Sequence, residues 1–200
     1  EPLAGGTTTI WLDPRTLEVK RQFRSLTGTI RNCAGGITPW GSWLTCEEDT
    51  TRAGNGLARD HGYIFEVPAA ASSPVDAVPL TAMGRFNHEA AAVDPATGIV
   101  YLTEDRDDSL LYRFVPNEPG RLLQGGRLEA LALADVSDTR NWDGVTVRPG
   151  ETLAARWLPM SDVSAPEDDL RKRGAAAGAA LFARGEGIWM GDGELYFTCT

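Results

Sequence analysis

The sequence predicts an all-β fold, and three observations support this prediction. β-branched and aromatic residues occur in short runs that are bounded by Gly, Pro and Asp, which is the pattern of strands and turns. The chain of 200 residues contains 22 Gly and 12 Pro, so many turns are expected. A hairpin-like motif also occurs three times. Recurrent short strands of this kind favour a sandwich, a barrel or a propeller.

The clearest strand signals follow one another along the chain. They lie at residues 7–12, 62–67, 98–103, 110–115 and 194–198. One short helix is predicted near residues 164–182, where Ser164 and Glu167 have the spacing of a capping box and Pro166 fits the first turn. The glycines of the 174–180 segment make it a weak continuation, since Gly costs about 1 kcal/mol relative to Ala in a helix.

The repeated motif is a polar segment, a turn, and a strand that ends in Thr. Its polar segments are Arg31-Asn32-Cys33, Asn87-His88-Glu89 and Arg184-Gly185-Glu186. Its strand ends are Thr45-Cys46, Thr103-Glu104 and Thr198-Cys199. The repeats are spaced too unevenly for a small solenoid, but the spacing is compatible with propeller blades that carry insertions.

Hairpin geometry turns this repeat into a prediction about side chains. If Val93 opposes Val100, then Glu89 lies opposite Glu104, because residues of an antiparallel pair advance in step. If Met190 opposes Glu194, then Glu186 lies beside Thr198 and Cys199. A turn near Pro39 and Trp40 likewise brings Cys33 near Cys46, and strand alternation puts Cys46 and Glu48 on one face.

Each hairpin is therefore expected to gather a carboxylate or a thiol at its open end. If the hairpins are inner strands of neighbouring blades, these groups converge, and cations would have to neutralise them. For any single carboxylate, solvation at a strand end is the simpler interpretation, and Cys46 alone also fits a small buried hydrophobe. His88 could order a neighbouring carboxylate as well as bind a metal.

Arginines precede the candidate ligands by two to four residues, at Arg31, Arg85 and Arg184. Arg184 is the best placed, because Arg184 and Glu186 share one face of an extended segment and a guanidinium can bind phosphate through two hydrogen bonds. The alternative is that each arginine neutralises an acidic neighbour. The acidic segment at 104–108 offers oxygens for calcium but lacks the EF-hand spacing, and a solvated charged loop fits it equally well.

Composition excludes several classes of function. The formal net charge of −9 argues against a general nucleic-acid footprint. No apolar run approaches the roughly 18 residues that a spanning helix needs, so no membrane partner is expected. The three cysteines lack zinc-finger spacing, and two histidines without a Gly-x-Ser-x-Gly motif make a serine hydrolase triad unexpected.

At these motifs the chain resembles the PhoX-type alkaline phosphatases. The segment at 31–48, RNCAGGITPWGSWLTCEE, carries most of the resemblance, with support from residues 83–90, 100–106 and 182–187. The resemblance implies a β-propeller that carries an iron pair and calcium ions, hydrolyses phosphomonoesters and is exported to the periplasm or beyond. By motif position it implies that Cys46, Glu89 and Glu186 are iron ligands and that Arg184 contacts phosphate.

Two further ligands, Glu48 and Glu104, are predicted from hairpin geometry, and Asn32 is predicted to contact substrate. Because family members are considerably longer, we expect residues 1–200 to form a single partial β-propeller. Ile37 departs from the polar or basic residue expected there in a phosphatase.

The predicted function is a monomeric, metal-dependent phosphomonoesterase. The alternatives are a calcium-stabilised propeller that binds without turnover and a lactonase-like hydrolase that uses calcium alone.

Overall fold

The structure is a computed structural model that describes residues 3–200, and strands account for most of its regular elements. A single α-helix lies among the described residues, α1 (Leu170–Ala176), together with 3₁₀ turns at Thr81–Met83 and Leu122–Gln124. The strands are β1 (Gly5–Leu12), β2 (Val19–Thr29), β3 (Asn32–Ile37), β4 (Ser42–Glu47), β5 (Ile64–Pro68), β6 (His88–Val93), β7 (Val100–Glu104), β8 (Tyr112–Pro116), β9 (Gly126–Leu133), β10 (Ala155–Pro159), β11 (Gly185–Gly191) and β12 (Glu194–Cys199).

These strands form two hairpins and one open eight-stranded sheet. The hairpins are β1–β2 and β11–β12, and the sheet has the order β10-β9-β8-β7-β6-β3-β4-β5. Within that sheet, β3 and β6 are parallel and pair only at Gly35 and Ala90, whereas the other neighbours are antiparallel. The sheet thus consists of two meanders whose first strands meet. Since β11 packs against β6, the first strands of all three repeated hairpins lie next to one another.

Two glycines allow β3 to lie close to its neighbours β6 and β4. A Cβ atom on Gly36 would lie 1.8 Å from the carbonyl oxygen of Ala91, on β6. Gly35 has φ +65°, and a Cβ there would lie 2.0 Å from the carbonyl oxygen of Leu44. Any side chain at either position would push β3 away from its neighbours. The Gly35-Gly36 pair of the motif therefore serves strand packing.

The main hydrophobic core lies under the two meanders and is closed by α1. Phe86 and Tyr112 stack in it with ring centroids 4.5 Å apart, and Leu44 from β4 and Leu170 from α1 are both buried in it. Apolar burial of this kind stabilises the meanders together as one unit. Within the described residues no helix combines the length and hydrophobicity needed to cross a bilayer.

The three repeated hairpins all form, but β-bulges change the expected pairing in two of them. Cys33 opposes Cys46, as predicted. Val93 opposes Val100 as predicted, but a shift between His88 and Ala91 places His88 opposite Glu104, so the predicted pairing of Glu89 with Glu104 is wrong. A bulge inserts an extra residue in one strand and so moves every later pair by one.

The third hairpin is also offset by one residue from the prediction. Met190 opposes Leu195 instead of Glu194, and an irregularity before Ile188 then brings Gly185 opposite Cys199. The turn consequently consists of Asp192 and Gly193, both with positive φ, which is the conformation of a tight two-residue hairpin turn. Glu186 falls inside the irregular stretch and has no direct cross-strand partner.

The predicted helix is present but shorter than residues 164–182. It begins at Leu170, and no side chain caps its first turn. Ala165 and Asp168 both have positive φ, which a right-handed helix excludes, so the capping-box interpretation of Ser164 and Glu167 is wrong. The 118–159 region contains β9 and β10 in addition to turns.

Candidate metal centre

Three side chains from three different segments meet at the open ends of the first two hairpins. Cys33 lies on β3, Glu48 follows β4, and Glu89 lies on β6. One potential ligand atom from each lies within 4.8 Å of the other two. Among the described residues, this is the group of at least three Cys, His, Asp or Glu side chains that is close enough to share a metal ion. We call it the Cys33 cluster.

The elements around the cluster fix the direction of each side chain. The neighbour of Glu48, Glu47, points to the opposite face, where its carboxylate is fully buried and accepts hydrogen bonds from the backbone of Gly62 and Tyr63. This anchoring, together with a backbone hydrogen bond from Glu48 N–H to the carbonyl of Arg31, turns the Glu48 side chain toward Cys33. Glu47 and Glu48 therefore lie in different environments, the first buried and the second in the cluster.

The surroundings of the cluster disfavour the charged forms of Cys33 and Glu89. The Cys33 thiol donates a hydrogen bond of 3.0 Å to Glu89 Oε1, and partial burial followed by this contact raises its pKa to about 11. Burial also raises the pKa of Glu89, and the charges of Glu48, Glu186 and Asp105 add to that effect. A metal binds the deprotonated thiol and the ionised carboxylates. A bound cation would therefore stabilise the charged forms of Cys33 and Glu89 and lower their pKa values.

The structure groups Cys33, and not Cys46, with the two carboxylates. Cys46 is fully buried in the main hydrophobic core, where burial raises its pKa. Leu44 and Cys46 alternate onto the core face of β4, whereas Glu48 lies beyond the end of that strand, so the predicted grouping of Cys46 with Glu48 does not form. The sequence signal for Cys33 was its position in the polar segment that begins the repeat. The assignment of Cys46 as a ligand followed motif position and stays a prediction that the geometry does not favour.

Glu104 lies outside the Cys33 cluster, on the core side of β7. It is fully buried, and the Tyr112 hydroxyl donates a 3.0 Å hydrogen bond to its Oε2 atom. Burial raises the pKa of Glu104 to about 8, although the positive charge of Arg171 opposes the shift. Its predicted role as a metal ligand therefore depends on a geometry that the structure does not display.

Glu186 lies beside the cluster and is held by Arg184. One guanidinium nitrogen of Arg184 donates to Glu186 Oε1 at 3.1 Å, and the same oxygen accepts from Thr200 at 3.1 Å. Arg184 also forms two hydrogen bonds to Asp105, at 2.8 and 3.2 Å. The side chain of Arg184 nevertheless stays 46% exposed, so it is open to a ligand from solvent.

Arg31 and Arg184 occupy equivalent places in the first and third repeats. Each stands two residues before a candidate ligand and has positive φ, +43° and +45°. Arg31 pairs with Glu48 at 3.1 Å, as Arg184 pairs with Glu186. Arg85 differs, because it is buried and donates to the backbone carbonyls of Thr50 and Ala165. Two arginines therefore flank the cluster, and the third supports the loops behind it.

Asn32 is bound to protein groups in the structure. Its Oδ1 accepts from Gly6 N–H at 2.8 Å and from Thr29 at 2.7 Å, and its amide donates to Thr45 at 2.8 Å. These contacts join the β1–β2 hairpin to β3 and β4. Contact between Asn32 and substrate remains a prediction, whereas its observed role is to position β3.

Two of the four carboxylates of the 104–108 segment, those of Asp105 and Asp108, are paired with arginines. Asp105 binds Arg184, and Asp108 accepts a 2.7 Å hydrogen bond from Arg171, which lowers the pKa of Asp108 against the effect of burial. Arginine therefore already offsets the charge of these two carboxylates. The interpretation of this segment as a calcium loop gains no support from these contacts.

Comparison with known proteins identifies a family. The family model described as alkaline phosphatase PhoX matches residues 5–200. The fold is similar to that of Pseudomonas fluorescens PhoX in complex with vanadate, a transition state analogue, with a TM-score of 0.61 and 22% identity over 96% of this chain and 44% of that chain. This chain therefore spans less than half the length of that structure. No curated protein matches. The chain belongs to the alkaline phosphatase PhoX family.

Proposed function

We propose that this protein is a metal-dependent phosphomonoesterase, an alkaline phosphatase of the PhoX type. The observation that carries the proposal is the Cys33 cluster, in which a thiol and two carboxylates approach within 4.8 Å beside the exposed Arg184. Membership of the family supports the reaction class. The alternatives from sequence, a calcium-stabilised binding scaffold and a lactonase-like hydrolase, have no comparable support.

The donor set of the cluster fits iron better than calcium. Calcium binds oxygen ligands, whereas a thiolate combined with carboxylates suits a transition metal. Cys33, Glu48 and Glu89 would hold iron, with Glu186 adjacent, and additional carboxylates would supply oxygen ligands for calcium. When bound, the metals would polarise phosphoryl oxygens and promote attack by an oxygen nucleophile.

The chain's own residues bind and orient the phosphoryl group. Arg184 can exchange one of its contacts with Asp105 for a phosphate, and its planar guanidinium would fix two oxygens at once. Arg31 balances the charge of Glu48 on the other side of the cluster. The proton on Cys33 Sγ leaves when the site is loaded, because the thiolate is the metal-binding form.

We also propose that residues 1–200 form a partial β-propeller in a single domain. Two contacts support this proposal: β3 pairs in parallel with β6, and β11 packs on β6. In this arrangement Cys33, Glu89 and Glu186 come from the first strands of successive blades, and Glu48 follows the second strand of the first. As a member of a family that is typically exported, the protein is proposed to act in the periplasm or outside the cell. Its proposed partner is a small phosphomonoester, and we propose that it acts as a monomer.

The test is p-nitrophenyl phosphate hydrolysis by protein whose iron and calcium contents have been measured. Glu89→Gln is expected to lower iron content and to lower kcat/KM by about 100-fold or more, since a charged metal ligand is removed. The matched control is Glu151→Gln, at an exposed carboxyl far from the cluster along the chain, which should leave both unchanged. A correctly metallated protein that leaves p-nitrophenyl phosphate intact would refute the proposed activity.

A further inference from the structure

A cavity of about 560 Å³ opens beside the Cys33 cluster. It lies between the β1–β2 hairpin and strands β3 and β4, and Cys33 and Asn32 both line it. Its volume is within the range of pockets that hold small organic ligands. A substrate whose phosphate lies at the cluster could therefore extend its other end into this space. We call it the hairpin cavity.

The hairpin cavity carries polar groups among apolar ones, and none of its side chains is formally charged. No Asp, Glu, Lys, Arg or His is among the residues that line it, although the chain has 47 Asp, Glu, Lys and Arg residues in total. Its polar groups are instead hydroxyls and one amide. They are Thr7, Thr8, Thr9, Ser25, Thr45 and Asn32. A charged leaving group would lose its hydration there without gaining a partner, so the cavity selects against it.

Several of these hydroxyls retain hydrogen-bonding capacity. Thr45 Oγ1 accepts from the Asn32 amide at 2.8 Å, which leaves its own proton free to donate. Thr7 and Ser25 share one hydrogen bond of 2.9 Å, so one of their two protons and several lone pairs remain. Mixed donors and acceptors on a neutral wall match a ligand that itself carries several hydroxyls.

Two tryptophans give the hairpin cavity apolar walls. Trp11 and Trp43 line it, and each is 39% exposed. Indole faces are electron-rich and pack against the slightly positive C–H groups of a saturated ring. Hydroxyl groups combined with indole faces are complementary to a ring that has hydroxyls at its edge and C–H groups on its faces.

We propose that the hairpin cavity binds the neutral sugar ring of a sugar monophosphate. This inference rests on the proposed phosphomonoesterase function and names its substrate class. A second cavity, of about 420 Å³ between β3, β6 and β11, is lined by apolar groups that include Trp189 and Met190, but it contains none of the three cluster residues. The sugar is assigned to the hairpin cavity because that cavity reaches Cys33.

Binding of methyl glucoside, a sugar without phosphate, tests the cavity independently of catalysis. Saturation-transfer NMR should show contact with the protein, and Trp11→Ala should reduce the signal severalfold. Thr7→Val removes only a hydroxyl and should reduce the signal as well. This second variant keeps the test valid if Trp11→Ala unfolds the hairpin. Trp189→Ala changes an exposed tryptophan of another hairpin and should have no effect. Equal signals in the wild type and in Trp11→Ala would overturn the proposal.

Kinetics give the second readout. The ratio of kcat/KM for glucose 6-phosphate to that for ethyl phosphate should fall by about tenfold in Trp11→Ala and stay constant in Trp189→Ala. If methyl glucoside binds but no phosphate ester is hydrolysed, the proposed function fails and the sugar site stands. A preference for phenyl phosphate over glucose 6-phosphate that only Trp189→Ala abolishes would overturn the proposal. It would show that the apolar cavity, and not the hairpin cavity, receives the leaving group.

Discussion

His88 and Glu89 are consecutive residues of β6, yet they enter two different environments. Glu89 lies in the Cys33 cluster, where it meets a thiol and a second carboxylate. His88 is fully buried opposite Glu104, stacks on Phe86 with ring centroids 3.6 Å apart and contacts the Gly84 carbonyl. Burial lowers the pKa of His88 to about 3, so it is neutral.

The two environments differ in whether the polar groups of the repeat are available to a ligand. On the core side, Glu104 and Tyr112 bind each other, and apolar side chains surround them. On the cluster side, the thiol and carboxylates have one another as neighbours and collect negative charge. Similar residue types therefore serve the fold on one face and are suited to cations on the other.

The largest expected effect concerns the two cysteines that oppose each other across β3 and β4. Cys33→Ala should lower iron affinity by about 100-fold or more, because it removes a ligand, whereas Cys46→Ala should retain iron and only loosen the core. Iron content and the visible absorption of the purified variants measure the difference. The opposite result, with iron lost only in Cys46→Ala, would restore the assignment made from motif position.

The next effect tests whether the cluster depends on the contact between β3 and β6. Gly36→Ala would place a Cβ atom 1.8 Å from the Ala91 carbonyl oxygen, so it should cost about 2–3 kcal/mol of unfolding free energy and weaken iron binding. Gly187→Ala is the control, since its Cβ meets nothing closer than 3.8 Å. Urea unfolding of both variants gives the comparison, and equal midpoints would contradict this account of β3.

Tyr112→Phe tests whether the buried contact with Glu104 affects the Cys33 cluster. The change removes the hydroxyl that donates to Glu104 Oε2, so this buried oxygen loses its hydrogen bond. The loss should lower the free energy of unfolding by about 1–2 kcal/mol. Iron content should stay at the wild-type level, because neither residue belongs to the Cys33 cluster. Loss of iron in Tyr112→Phe would show that the two environments are coupled.

A further expected effect is a dependence of stability on pH. The pKa of Glu104 is raised to about 8 in the folded protein from an ordinary value of 4.5. The unfolded chain therefore releases this proton first, and the contribution to stability is lost as pH rises from 4.5 through 8. When the free energy of unfolding is measured against pH, Glu104→Gln should reduce the slope between pH 4.5 and 8, whereas Glu151→Gln should not. An unchanged slope in Glu104→Gln would show that Glu104 does not cause it.

Much of the local structure was determined by the sequence alone. Alternation and turn residues predicted the three repeated hairpins and the pairing of Cys33 with Cys46. The resemblance of residues 31–48 predicted the family correctly. These features depend on neighbours a few residues away, so a linear pattern is sufficient to specify them.

The tertiary structure decided the membership of the candidate site. The bulge after His88 moved Glu89 away from Glu104, and the approach of β3 to β6 joined Glu89 to Cys33 and Glu48. Burial then separated Cys46 and Glu104 from that group. A bulge and a contact between distant strands depend on how whole sheets pack, and no periodicity within a single strand encodes that packing.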